Sequence, residues 1–71
     1  MLIEVTTRNG QIIDGRVIGS GRNFLKVNEA GVKITIDRAE IAQVRYESGL
    51  VMKNYDPTQD RSKFDAFGNP R

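Results

Sequence analysis

The chain has no cysteine, no histidine and no tryptophan among its 71 residues. Without cysteine there is no disulfide staple, and without cysteine or histidine a zinc site of the usual ligand set cannot be built. Any metal would have to be held by carboxylates, so no metal and no cofactor is expected. The nucleophile and base pairs of covalent hydrolases are also missing, and no glycine-rich loop precedes a helix to cradle a nucleotide. The acids Asp14, Glu29, Asp37, Glu40 and Glu47 stand at polar strand or turn positions. These absences argue against an enzyme. No apolar run is long enough to span a membrane, which takes about 18 residues or more. The opening MLIEVTTRNG carries Glu4 early and has no long apolar centre, so it does not read as an export signal. Together these features lead to the expectation of a cytoplasmic protein with no membrane partner.

Charge of one sign is also scarce. Eleven cations face nine anions, a net charge of +2. The excess is uneven. Arg8, Arg16, Arg22, Lys26, Lys33, Arg38 and Arg45 outnumber Glu4, Asp14, Glu29, Asp37 and Glu40 in residues 1–46, while residues 47–71 are balanced. In a symmetric assembly this small excess would repeat in every copy and the fields would add. Small size points the same way. A single core in so short a chain rarely supplies more than about 3–5 kcal/mol, and self-association is the staple still open to it.

What is present is a succession of short β-type runs. Leu2, Ile3 and Val5 begin the first, which continues through Thr6 and Thr7. Arg8-Asn9-Gly10 follows, and Asn-Gly between two such runs predicts a type I′ hairpin. The second strand is expected from Gln11 to Ile18 or Gly19. Its apolar residues Ile12, Val17 and Ile18 break strict alternation around Gly15, which predicts a bend or the close approach of another backbone. A third strand is expected from Phe24 to Asn28, with Leu25 and Val27 on one face and Phe24 and Lys26 on the other. After the turn Glu29-Ala30-Gly31, Val32, Ile34 and Ile36 alternate with Lys33, Thr35 and Asp37 in a fourth strand. Residues 37–40 read as a polar connector of one 3₁₀ turn, and Ile41 to Tyr46 as a fifth strand. Five hairpin-linked strands with an internal glycine bend predict an all-β, strongly bent sheet or small barrel over residues 1–47.

Residues 48–71 read as a C-terminal extension. Leu50, Val51 and Met52 form a small apolar patch. Asp56, Pro57 and Gln59 suit a helix N-terminus, and Gly68 with Pro70 a stop, predicting a short helix from Pro57 to Phe67.

The run Asn9-Gly10-Gln11-Ile12-Ile13-Asp14-Gly15-Arg16-Val17 resembles the first half of the Sm1 motif of Sm-like (LSm and Hfq-type) proteins. Asn23-Phe24-Leu25 resembles that motif's Asn and the apolar residues after it. Ile36-Asp37-Arg38-Ala39-Glu40-Ile41 stands in the place of Sm2. The resemblance covers residues 2–46. It implies a bent five-stranded, SH3-like barrel whose last two strands pair with neighbours, closing a homo-oligomeric ring of five to seven subunits around a pore. It further implies binding of single-stranded RNA where the loop between the second and third strands meets the turn between the fourth and fifth. The residues so implicated are Arg22, Asn23, Phe24, Asp37 and Arg38. An Asn amide can bond a base edge, an Arg can pair with phosphate, and a Phe can stack on a base. Read without the resemblance, Arg22, Asn23 and Arg38 are ordinary turn residues and Phe24 is core or interface. The loop Gly19-Ser20-Gly21-Arg22-Asn23 also lacks the Asp and the aromatic that the family usually places before Asn. The alternative is therefore a structural or protein-binding ring that kept the fold and lost RNA.

Overall fold

The computed structural model describes residues 1–60. It is all-β, with strands β1 (Leu2–Thr7), β2 (Ile12–Ser20), β3 (Phe24–Glu29), β4 (Val32–Asp37), β5 (Ile41–Tyr46) and β6 (Val51–Met52), and one 3₁₀ turn, Arg38–Glu40, between β4 and β5. All six strands lie in one antiparallel sheet of order β4-β3-β2-β1-β5-β6. Two expectations need correction. Among the described residues the strands number six rather than five, because Val51 and Met52 lie beside Arg45 and Val44 of β5. The sheet is bent but is not a closed barrel: β4 and β6 are its two ends. No described helix is long and apolar enough to cross a membrane.

The bend falls where alternation fails in the sequence. Over its first half β2 pairs with β1, from Ile12 opposite Thr6 to Arg16 opposite Leu2. Over its second half it pairs with β3, from Arg16 opposite Asn28 to Ser20 opposite Leu25. The β2–β3 register shifts between Val17 and Gly19, leaving Ile18 as the extra residue of a bulge, 40% exposed. A bulge bends a strand and increases its twist. Gly15 serves the same curvature by close approach: a Cβ built there would lie 2.1 Å from the Asn28 carbonyl oxygen.

The hairpins differ from the reading of their turns. Gly10 has φ +89°, but Asn9 is not among the residues with positive φ. A type I′ turn needs both, so the β1–β2 connection is a wider loop, closed by Thr7 N–H to the Gln11 carbonyl (2.8 Å) and Gly10 N–H to the Thr7 carbonyl (3.0 Å). The two-residue positive-φ pair is Ala30 and Gly31 instead, at φ +52° and +89°, between the facing residues Glu29 and Val32.

Period-2 alternation, broken between Ile41 and Val44 where the β1–β5 register shifts, puts Ile3, Val5, Ile13, Leu25, Val27, Ile36, Ile41, Val44 and Tyr46 into one core. Met52 and Tyr55 pack against it, so the described part of the extension shares the core of the first 47 residues. Residues 57–59 form a turn, and Asp60 is not helical. The helix expected from Pro57 therefore does not begin there, and the rest of that span lies outside the described residues.

The 3₁₀ turn fastens two other loops at its end of the sheet. Asp37 caps it, its carboxylate accepting the Ala39 N–H at 2.9 Å. Arg38 N–H donates to the Asn23 carbonyl (3.0 Å), while Arg8 donates its N–H to the Glu40 carbonyl (2.8 Å) and its Nε to the Ala39 carbonyl (2.7 Å). The β2–β3 loop, the β1–β2 loop and the β4–β5 connector are thereby fastened together.

The crowding at Gly15 yields a prediction. Gly15→Ala must force the β2 and β3 backbones apart, and overpacking of this kind costs about 1–3 kcal/mol or more. Urea denaturation followed by circular dichroism should show the unfolding free energy fall by that amount, with the midpoint lowered, whereas Gly19→Ala, with the nearest atom 3.9 Å from its Cβ, should stay close to wild type.

Candidate functional site

Four of the five residues singled out in the sequence line one cleft. Arg22, Asn23, Asp37 and Arg38 surround a space of about 390 Å³ together with Arg8, Ala39, Tyr55 and Pro57. The β2–β3 loop supplies Arg22 and Asn23, the β4–β5 connector supplies Asp37 to Ala39, and the backbone bonds of the 3₁₀ turn hold the two beside each other. Arg22, Asn23, Arg8 and Asp37 are exposed.

Phe24 stands apart. Its ring does not line the cleft and is 39% exposed. It lies over Gly21, where a Cβ would come within 2.4 Å of the ring, and Gly21 N–H donates to the Phe24 carbonyl at 3.0 Å. Gly21 thus owes its identity to the ring above it, which shapes the loop that presents Arg22 and Asn23.

Arg38 occupies a different environment from the solvated turn expected of it. It is 4% exposed, and its guanidinium points into a polar network within the fold. Nη1 reaches the Asp60 carboxylate at 2.6 Å and donates to the Tyr55 hydroxyl, and Nε donates to the Gly21 carbonyl at 3.0 Å. Asp60, 1% exposed, also accepts from the Tyr46 hydroxyl (2.9 Å) and from the Tyr55 hydroxyl. Nη2 of Arg38 is buried with no hydrogen-bond partner among the described residues. A buried carboxylate needs such donors, because a bare ion in an apolar interior is far too costly. Burial, and then the hydrogen bond and charge of Asp60, raise the Tyr55 phenol well above its ordinary pKa near 10.

The electrostatic consequence is specific. Arg38 is matched by Asp60, so the usable positive charge of the cleft comes from Arg22 and Arg8, set against Asp37. Arg8 was not singled out in the sequence. It precedes a turn, and nothing local marks it; only the bonds to Ala39 and Glu40 bring it to this place. Asp60 was likewise passed over, because it falls within the span that reads as a short helix, and Tyr55 reads most simply as an interface residue rather than as part of a site. A second cleft of about 420 Å³ lies on the outer face of β1, β2 and β5, where Glu4, Asp14 and Glu47 outnumber Arg45. Its carboxylates would repel a polyanion. Among the described residues no group of three or more acids is placed to hold a metal ion.

Comparison of the chain with protein-family models, with curated proteins and with solved structures gives no match.

Two predictions follow from the buried network. Removing one partner of a buried ion pair costs about 3–5 kcal/mol, because the other charge is left uncompensated. Asp60→Ala should therefore lower stability by that order in chemical denaturation, and Arg38→Ala should do the same rather than behave as a neutral surface change. The Tyr55 shift sets the second. Its phenol is held neutral in the folded chain, while the unfolded chain ionises near pH 10. The stabilisation is complete below pH 10 and is lost as pH rises above it, since there the unfolded state releases a proton that the folded state keeps. Stability measured by denaturation at stepped alkaline pH should fall above pH 10, and less steeply in Tyr55→Phe.

Proposed function

We infer that the chain is an Sm-like module that binds single-stranded RNA in the cleft between the β2–β3 loop and the β4–β5 connector. The observation that carries this reading is the meeting of Arg22, Arg8 and Asn23 at one opening, at the junction where the sequence resemblance puts the RNA site. Two exposed guanidinium groups can pair with successive phosphates, and the Asn23 amide can donate to or accept from a base edge. Arg38, buried against Asp60, supports the reading as the anchor of the connector rather than as a contact.

The family resemblance also carries the expectation of a homo-oligomeric ring in which β4 of one copy joins β5 of the next. Among the described residues β4 ends the sheet and offers an open edge. The outer side of β5 is occupied within the chain: Tyr46 N–H donates to the Leu50 carbonyl (2.8 Å), Val44 lies opposite Met52, and the Ala42 carbonyl accepts the Tyr55 N–H (3.1 Å). The RNA reading therefore rests on the cleft of a single copy and does not need a pore. The second reading, a structural assembly without RNA, is favoured by one observation: Asp60 cancels the charge of Arg38, which removes a cation the RNA site was expected to have.

Fluorescence anisotropy with short U-rich and A-rich oligoribonucleotides at low salt tests the inference. Arg22→Ala and Arg8→Ala should each weaken binding and reduce the slope of log K against log salt by about 0.7, the value for one phosphate contact on a single strand. Asn23→Ala should weaken binding with the slope unchanged, because a neutral amide displaces no counterion. Absence of binding at low salt, where electrostatic affinity is greatest, would transfer the case to the structural assembly.

A further inference from the structure

The open edge of β4 has a register that fits one occupant. β3 and β4 pair without a break from Phe24 opposite Asp37 to Glu29 opposite Val32. In an antiparallel pair, alternate residues turn both backbone groups toward the neighbour and the residues between them turn both away. Arg38 N–H donates to the Asn23 carbonyl, so the hydrogen-bonding positions run back from Arg38 through Ile36, Ile34 and Val32. Lys33, Thr35 and Asp37 therefore direct their N–H and C=O groups outward. All three are exposed, and no other described segment bonds to their backbones. The strand has no proline and no bulge, and Lys33 is its one lysine, so the devices that usually keep an edge from pairing are nearly absent.

We propose that two copies of the chain join through their β4 strands, antiparallel, about a two-fold axis at Thr35. Outward groups must meet outward groups, so Lys33, Thr35 and Asp37 of one copy must face members of the same set on the other. Centring the pair on Lys33 or on Asp37 sets like charges directly opposite each other. Centring it on Ile34 or Ile36 leaves one outward residue of each strand beyond the match. Centring it on Thr35 uses all three, sets Thr35 against Thr35 and sets Lys33 of each copy against Asp37 of the other. Opposite charges directly across an antiparallel pair are favourable, and like charges are not. On the other face the same register puts Ile34 against Ile36, extending the apolar row from one core to the next. The result is a continuous sheet running through both copies, self-complementary as a two-fold interface requires. It leaves β5 and β6 undisturbed, and it stands whether or not RNA binds.

Sedimentation velocity over a concentration series, without nucleic acid, tests the proposal. The wild-type chain should form a dimer. Thr35→Pro removes the central outward N–H and should give a monomer, with circular dichroism checking that the fold is kept. Lys33→Asp changes an exposed side chain only, leaves the fold intact, and sets Asp against Asp37 twice in each dimer, so dimerisation should weaken roughly tenfold or more. The chain has no cysteine of its own, so Thr35→Cys should link to itself at the axis on mild oxidation, where facing Cα atoms stand about 5.5 Å apart, within disulfide reach. Asp14→Cys, on the outer face of β2, should not link. A wild-type chain that stays monomeric, a closed assembly of more than two copies, or a dimer that persists at full strength in Lys33→Asp overturns the proposal.

Discussion

The buried pair of Arg38 and Asp60 is the constraint on which the rest of the molecule depends. A guanidinium and a carboxylate removed from water need matched charge and filled hydrogen bonds, or the interior cannot hold them. The chain meets this requirement from four separate places: the β4–β5 connector, the β2–β3 loop through Gly21, the core strand β5 through Tyr46, and the extension through Tyr55 and Asp60. Pieces far apart in sequence are thereby made to agree on one geometry at one end of the sheet. Such a pair is weak evidence of net stability, since an apolar replacement of equal volume can be as stable. Its effect is on arrangement: it holds the connector against the loop, and the loop is where Arg22 and Asn23 emerge.

The same network decides which edge of the sheet is open. Residues 50–55 run alongside β5 on their way to Asp60, and in doing so they take up the outward groups of Ala42, Val44 and Tyr46. Among the described residues β4 has no such cover. An edge left unpaired is a place where another chain can add, and here the alternation of backbone groups and the placing of Lys33 and Asp37 narrow the matches available to a second copy. The proposed RNA site and the proposed contact between copies use different groups: side chains of the two loops in one case, the backbone and side chains of β4 in the other. Asp37 takes part in both regions, lining the cleft and closing the strand.

Charge works on a small scale throughout. With a net of +2, the total charge of one copy pulls only weakly on a polyanion. What the fold provides is local. Arg22 and Arg8 reach one opening, Asp60 withdraws Arg38 from the count, and the acidic cleft on the outer face of β1 is set away from it. The proposed RNA site, two cations and an amide, depends on these positions more than on the total.

Much of the strand layout was legible in the residues themselves, because a half-buried strand has to alternate. β4 and β5 fall where Val32, Ile34 and Ile36, and then Ile41 to Tyr46, place them, and the failure of alternation around Gly15 marks the bend in β2. The grouping of Arg22, Asn23, Asp37 and Arg38 was also foreseen, from resemblance rather than from local chemistry. Other features depended on contacts between distant residues and left no local mark. The Asn9-Gly10 dipeptide favours a tight turn, yet Thr7 and Gln11 close a wider loop around it, while Ala30 takes a left-handed conformation that its own side chain does not favour. Val51 and Met52 are too few to read as a strand until β5 is there to receive them. Asp56 and Pro57 carry the marks of a helix start, but Asp60 is drawn inward by Arg38 and two tyrosines, and residues 57–59 stay a turn. Periodicity is a property of neighbours along the chain, so the sequence determined the strands. The partner of a buried charge is chosen by residues 22 positions apart, and that choice belonged to the tertiary structure alone.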